Sequence, residues 1–236
     1  MDSVNIYTYW EGPRNWYYDL CWETVLRWNP GAQEFGPKEV EEVIGPLPQA
    51  VQDAYVVHRC DWIRKEWIRA VGGLYVDHDF ICWADLRPLA GVAPAVDYLG
   101  WKEWHGTGWM DNFFAARKDS PVLQTAADYA LEQMQRHGRG VQWLATNAHA
   151  MNFALEKHKW RKCIELSPHL ISPVAVVDRN FFLSKINRDI NGYDSYGQMT
   201  SAHGILDFLN EHFKTPKELI ESDIHLGAIF RRAFGL

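Results

Sequence analysis

The sequence predicts an α/β domain. Two observations carry this. Short β-rich runs alternate with amphipathic helical stretches through the first half of the chain, the pattern of strands fed by helical crossovers. One apolar strand, Leu74–Val76, is also delivered by a helix that stops at Gly72-Gly73 and runs straight into Asp77-His78-Asp79. In open α/β sheets the ligand site lies beyond the carboxyl ends of strands, so this acidic pair marks where chemistry is expected.

The elements follow in order. "VNIYTYW", Val4 to Trp10, is apolar and β-rich and reads as the first strand. After the "EGPRN" break, Tyr17, Leu20, Cys21, Val25 and Trp28 recur at helical spacing. "NPGAQEFGP" reads as a turn-rich loop and "KEVEEVIG" as a short helix closed by Gly45. In "CDWIRKEWIRAVGG", Ile63, Trp67, Ala70 and Val71 form one apolar helical stripe, stopped by the two glycines. "RPLAG", "PAVDYLG" and "NFFAARK" read as further short strands or loops. "SPVLQTAADYALEQMQRHG" is a helix capped by Ser120, with Pro121 in its first turn and Gly138 at its end. "VQWLATNAHAMNFALEKH" reads as another helix, "LISPVAVV" as a late strand, and "AHGILDFLNEHF" and "TPKELIESDIHLGAIFRRAF" as C-terminal helices. The last opens on a Thr215-x-x-Glu218 capping box.

Composition narrows the function. The chain of 236 residues suits one large domain, and its net charge of −6 lacks the basic footprint of a nucleic-acid binder. Cys21, Cys60, Cys82 and Cys163 show no C-x-x-C spacing, so a zinc knuckle is unsupported and free thiols in a reducing compartment are expected. No signal-peptide pattern and no run of about 20 apolar residues is present, so the expectation is a cytoplasmic protein without a membrane span. The 12 Trp, 10 Tyr and 11 Phe serve either as large core side chains or as flat platforms for sugar or nucleobase rings.

Residues i and i+2 of a strand face one side. On that reading, Asp77 and Asp79 converge on one hard cation, Mg²⁺ or Mn²⁺. Such an ion leaves positions open for substrate phosphates and neutralises a departing diphosphate. Asp61 and Arg64 stand three apart on the preceding helix and share a face. A carboxylate beside a guanidinium suits a polyol and a phosphate; equally, it suits a structural ion pair tying helix to sheet. The pair alone leaves both readings open. A metal-dependent phosphohydrolase using the two acids and a non-catalytic sugar-binding protein are the other classes.

"CDWIRKEWIRAVGGLYVDHDF" resembles the core of the sugar-nucleotide transferases with a D-x-D motif, a group that includes fungal initiating mannosyltransferases, capsular polysaccharide synthesis transferases and clostridial glucosylating toxins. Asp61, Arg64, Gly72, Gly73, Tyr75, Asp77 and Asp79 match every position of D-x-x-R, a spacer, and G-G-x-Y-x-D-x-D. "IYTYWEG", "RWNPGAQ" and "DNFFAARKDSPVL" resemble flanking segments, and the similarity covers roughly residues 4 to 125.

The resemblance implies a single GT-A domain over residues 1–236, with a nucleotide-sugar half at 1–125 and an acceptor half at 126–236. It implies a metal-dependent, retaining transfer of a hexose from a nucleotide diphosphate sugar to a hydroxyl acceptor. A UDP-sugar is favoured over a GDP-sugar. A glycan is the expected acceptor, in polysaccharide biosynthesis, and a modified DNA base stays open. By the same resemblance Asp77 and Asp79 hold Mn²⁺ (or Mg²⁺) and the donor, Asp61 and Arg64 contact the donor sugar, Tyr75 and Asn112 lie beside it, and Trp10 stacks on the base. A C-terminal His completing the metal site is His203, with His225 as the alternative. Three departures stand out. His78 sits where the family carries Thr or Val, and is expected to face outward. Thr146-Asn147-Ala148 replaces a Thr-Gly-Pro turn. Neither His has the family's Ser-Trp sequel.

Overall fold

The computed structural model describes residues 5–103, 108–175, 179–186, 193–200 and 202–236, with 179, 202 and 203 described for their backbone only. Along these residues run eight strands, β1 (Ile6–Tyr9), β2 (Gln33–Phe35), β3 (Gly73–Val76), β4 (Phe80–Cys82), β5 (Tyr98–Lys102), β6 (Trp109–Ala116), β7 (Cys163–Leu166) and β8 (Gly197–Met199). The chain divides into two compact units. One comprises Met1–Glu11, Gln33–Asp77 and Arg87–Leu166; the other comprises Gly12–Ala32, His78–Leu86 and Ser167–Leu236. The units interleave along the sequence, so neither coincides with residues 1–125 or 126–236.

The first unit is built on a six-stranded mixed sheet in the order β2-β1-β3-β6-β5-β7. β1 runs parallel to β2 and β3, β6 runs antiparallel to β3 and β5, and β7 runs parallel to β5. β3 is buried along its whole length, which explains why it reads as an unbroken apolar run. The Val56–Val71 helix buries Ile63, Trp67 and Ile68. Trp67 stacks on Phe35 of β2 with ring centroids 3.8 Å apart, a contact worth about 0.5–1.5 kcal/mol beyond its burial. The helix ends because Gly72 takes φ +72° and Gly73 φ +127°, where a side chain is strained. A Cβ on Gly73 would also lie 2.6 Å from the Asn5 carbonyl. Ser120 Oγ accepts from Leu123 N at 3.2 Å and starts the Pro121–His137 helix as expected.

The second unit pairs β4 antiparallel with β8 and packs them with the helices Trp16–Trp28, Ala202–His212, Pro216–Glu221 and His225–Phe234. Its core gathers Tyr17, Cys21, Ile81, Phe182, Leu209 and Phe230. All four cysteines are free. Among the described residues no helix is long and apolar enough to cross a membrane.

Several expectations are corrected. β2 lies inside the stretch read as a loop; it is three residues long with two exposed, so it carries no periodicity. β7 likewise has two exposed residues, of its four. "RPLAG" lies in the helix Arg87–Val92. The late strand is absent among the described residues: Pro168–Ile171 is a helical turn and 172–175 form no strand. Only Ala148–Lys157 of the 141–158 stretch is helical. The last helix is two, broken where Ser222 Oγ turns back to donate to Leu219 O at 2.6 Å.

Candidate functional site

Asp77 directly follows β3, and its backbone N–H donates to Asn112 O at 2.8 Å, holding it against β6. Asp79 falls in the following turn, not on the strand, so strand alternation does not set its direction, contrary to the expectation from spacing.

Arg64 reaches Asp77 from the Val56–Val71 helix. Its Nη1 donates to Asp77 Oδ2 at 2.9 Å, its Nη2 pairs with Asp61 Oδ1, and its Nε lies 3.7 Å from Asp111 Oδ2. Tyr75 Oη donates to the other Asp77 oxygen at 2.9 Å. Asp61 and Arg64 are both more than nine-tenths buried. Burial works against the guanidinium charge, but Asp111 and Asp77 more than offset it and hold the Arg64 pKa above its usual range. Arg64 Nε is buried without a hydrogen-bond partner, an orphan donor of the kind a ligand oxygen satisfies.

Four residues that were not assigned to the site from sequence complete the cluster. Lys65 is fully buried; its ammonium pairs with Asp111 and donates to Asp61 O at 2.7 Å and Thr146 O at 2.9 Å. Thr146 Oγ1 donates to Asp61 Oδ2 at 2.6 Å and meets His58 Nδ1 at 2.9 Å. Burial pulls the Lys65 pKa down to about 8, with Asp111 resisting, and burial also lowers that of His58. Sequence signals existed for two of them. Lys65 stands four residues after Asp61 on one helix, and Asp111 shares an alternating strand face with Trp109 and Phe113.

The other expected residues are placed as follows. Trp10 is half-buried, and its backbone N–H donates to Phe35 O at 3.1 Å. Its neighbours Tyr9 and Glu11 line a cavity of about 300 Å³ together with Val40, Leu47, Gln52 and Arg59. Tyr75 is buried, with its hydroxyl taken by Asp77. Asn112 Oδ1 accepts from Trp101 Nε1 at 3.1 Å. His78 is buried rather than outward, its Nε2 2.7 Å from Arg14 Nη2 and its ring 5.8 Å from that of Trp22. Since arginine only donates, that nitrogen is unprotonated. His225 is fully buried, stacked on Phe181 at 4.1 Å with Nδ1 3.2 Å from Ser184 Oγ, the setting of a packed core histidine. The His203 side chain lies outside the described residues.

Carboxylates suit a hard divalent ion, yet both Asp77 oxygens are engaged by Arg64 and Tyr75. Among the described residues no three His, Cys, Asp or Glu side chains gather into a group able to hold an ion.

No family model matches the chain, and no curated protein matches it by sequence. Among solved structures, the apo-form glycosyltransferase GlyE of Streptococcus pneumoniae TIGR4 superposes with a TM-score of 0.50 over 71% of this chain, at 10% identity. The chain has a GT-A glycosyltransferase fold. It spans just under half of that GlyE structure, 46%. The PaToxG glycosyltransferase covers 66% of this chain and 68% of its own at 16% identity and TM-score 0.46. A glycosyltransferase involved in glycosylation of the major capsid of PBCV-1 covers 72% and 84% at 12% identity and TM-score 0.40. Within this GT-A fold, the Asp61–Arg64–Asp77 cluster occupies the carboxyl end of β3.

Proposed function

We propose that the protein is a metal-dependent, retaining glycosyltransferase that moves a hexose from a nucleotide diphosphate sugar, a UDP-sugar in preference to a GDP-sugar, to a hydroxyl acceptor such as a glycan. The observation that carries this reading is Arg64 bound to Asp61 and Asp77 together with an orphan Nε at the end of β3. A structural ion pair needs no second and third carboxylate, and three converge on this one guanidinium.

In this reading the nucleoside occupies the cavity beside Tyr9 and Glu11, with Trp10 against the base. Asp61 accepts from sugar hydroxyls, and Arg64 donates to diphosphate and hydroxyl oxygens. Asp79 would hold Mn²⁺ or Mg²⁺, which supplies charge neutralisation for the leaving diphosphate. The acceptor oxygen bonds to the anomeric carbon as the bond to the diphosphate oxygen breaks. The acceptor proton passes to that departing oxygen, on the same face.

A thermal-shift screen of nucleoside diphosphates and nucleotide sugars with Mn²⁺ tests the reading. Ligand at 100 times its Kd adds about 2.7 kcal/mol. Slow release of nucleoside diphosphate from one nucleotide sugar is the expected result. Release of inorganic phosphate would favour a phosphohydrolase. Binding without turnover would favour a sugar-binding protein.

A further inference from the structure

We infer that Lys65 is a positioning residue for the sugar-facing carboxylate of Asp61, acting through Thr146, and that the Lys65–Asp111 pair thereby sets the site's preference for a sugar-bearing ligand. The inference rests on the donor site proposed above.

Lys65 binds three segments at once. Its ammonium holds the Asp61 carbonyl on its own helix, the Asp111 carboxylate on β6, and the Thr146 carbonyl just before the Ala148–Lys157 helix. The three hydrogens of an ammonium are thereby used, each on a different acceptor. Thr146 is fully buried and its backbone is fixed by this bond. Its hydroxyl therefore meets Asp61 Oδ2 in one orientation, while Arg64 takes Oδ1. Asp61 is held from both sides, one oxygen by a cation and one by a neutral hydroxyl. Each oxygen keeps a lone pair for a further donor, with the direction of the carboxylate plane set by Thr146. A buried cation serving only stability would be replaceable by apolar packing. This one is spent on aiming a hydroxyl.

The same geometry fixes a reporter. The Thr146 hydroxyl has one hydrogen and gives it to Asp61. The 2.9 Å contact with His58 must then be donated by His58, which puts the proton on Nδ1.

The test compares the full-length parent with Lys65→Met/Asp111→Leu, which removes the pair together with the 3.7 Å Asp111 contact of Arg64, and with Thr146→Val and Thr146→Ser, which keep that contact. The His58 ring nitrogens, assigned by their loss in His58→Gln, are read by ¹⁵N NMR. Affinities for UDP and a UDP-hexose, and for GDP and a GDP-hexose, are measured with Mn²⁺. The parent should show the Nδ1–H form, and the double variant should lose it. The affinity ratio of sugar-bearing to sugar-free ligand should fall about tenfold, one hydrogen bond's worth, in the double variant and in Thr146→Val. It should return in Thr146→Ser. A folded double variant that keeps the parent's His58 form, or keeps the parent's ratio, overturns the inference. If the double variant does not fold, a parent-like ratio in Thr146→Val overturns it. A parent that binds none of the four ligands overturns the donor reading and the sugar role with it; the His58 signal still decides whether Lys65 sets Thr146.

Discussion

Arg64 Nη1 donates to Asp77 Oδ2 at 2.9 Å, so the first acid of the pair is already bound to a cation of the protein's own. Asp77 directly follows β3 whereas Asp79 falls in the next turn, so their substitutions should differ.

Asp79→Asn should cut metal-dependent turnover at least ~100-fold, the scale of several kcal/mol of charge neutralisation. The fold should persist, because asparagine keeps the size of the side chain and the Thr200 contacts go to the Asp79 backbone oxygen. Turnover across a Mn²⁺ titration, with a melting curve alongside, measures both. Near-parental turnover at every metal concentration would remove Asp79 from the metal site.

Asp61→Ala and Arg64→Ala should each destabilise the protein by about 3–5 kcal/mol, since each breaks a buried ion pair and takes one contact from its partner charge. The double variant should lose less than the sum. Urea unfolding of the three proteins gives the coupling. Strict additivity would mean the two side chains do not act as a pair.

Trp10→Ala should weaken donor binding with little change in the saturated rate, because a base contact is remote from the reacting carbon. A large fall in saturated rate at unchanged affinity would exclude the stacking role.

Lys65 predicts opposite pH trends for binding and stability. Its ammonium is present below about 8 and lost as pH rises through that value, so preference for the sugar-bearing ligand should fall above about 8. Stability linked to this group should rise instead. Between about 8 and 10.5 the unfolded chain, with the ordinary lysine value of 10.5, holds a proton that the folded chain has released, and stability then increases with pH. Lys65→Met/Asp111→Leu should abolish both trends. Affinity ratios and urea midpoints from pH 6.5 to 10 read them. A parent ratio flat across that range would contradict the role given to Lys65.

The fold was legible where elements announce themselves chemically. The Pro121–His137 helix has its Ser120 cap and Gly138 stop, and β3 has its glycines. The Val56–Val71 helix was read from Cys60 because it opens at Tyr55 with no side-chain cap. β2 and β7 are short, each with two exposed residues, so their place depends on pairing with β1 and β5, which spacing does not encode. The site divided similarly. Asp61, Arg64 and Asp77 lie close together in sequence, and their spacing suggests the contact they make. Asp111 and Thr146 are 46 and 81 residues from Lys65, and only the folded chain brings them to its ammonium. His78 was misjudged because nothing near it in sequence shows that Arg14 supplies its partner.

The four free cysteines have a practical consequence. Burial pushes the thiols of Cys60 and Cys82 up to about 12 and that of Cys163 up to about 11, and holds Cys21 well above its ordinary value. At neutral pH each is almost wholly protonated in the native chain and slow to alkylate. Cys60 and Cys163 belong to the first unit, Cys21 and Cys82 to the second. Cys21 and Cys82 are fully buried, so the second unit carries two native chronometers. Timed alkylation read by peptide mass records how often each one breathes open, without a dye or an engineered residue.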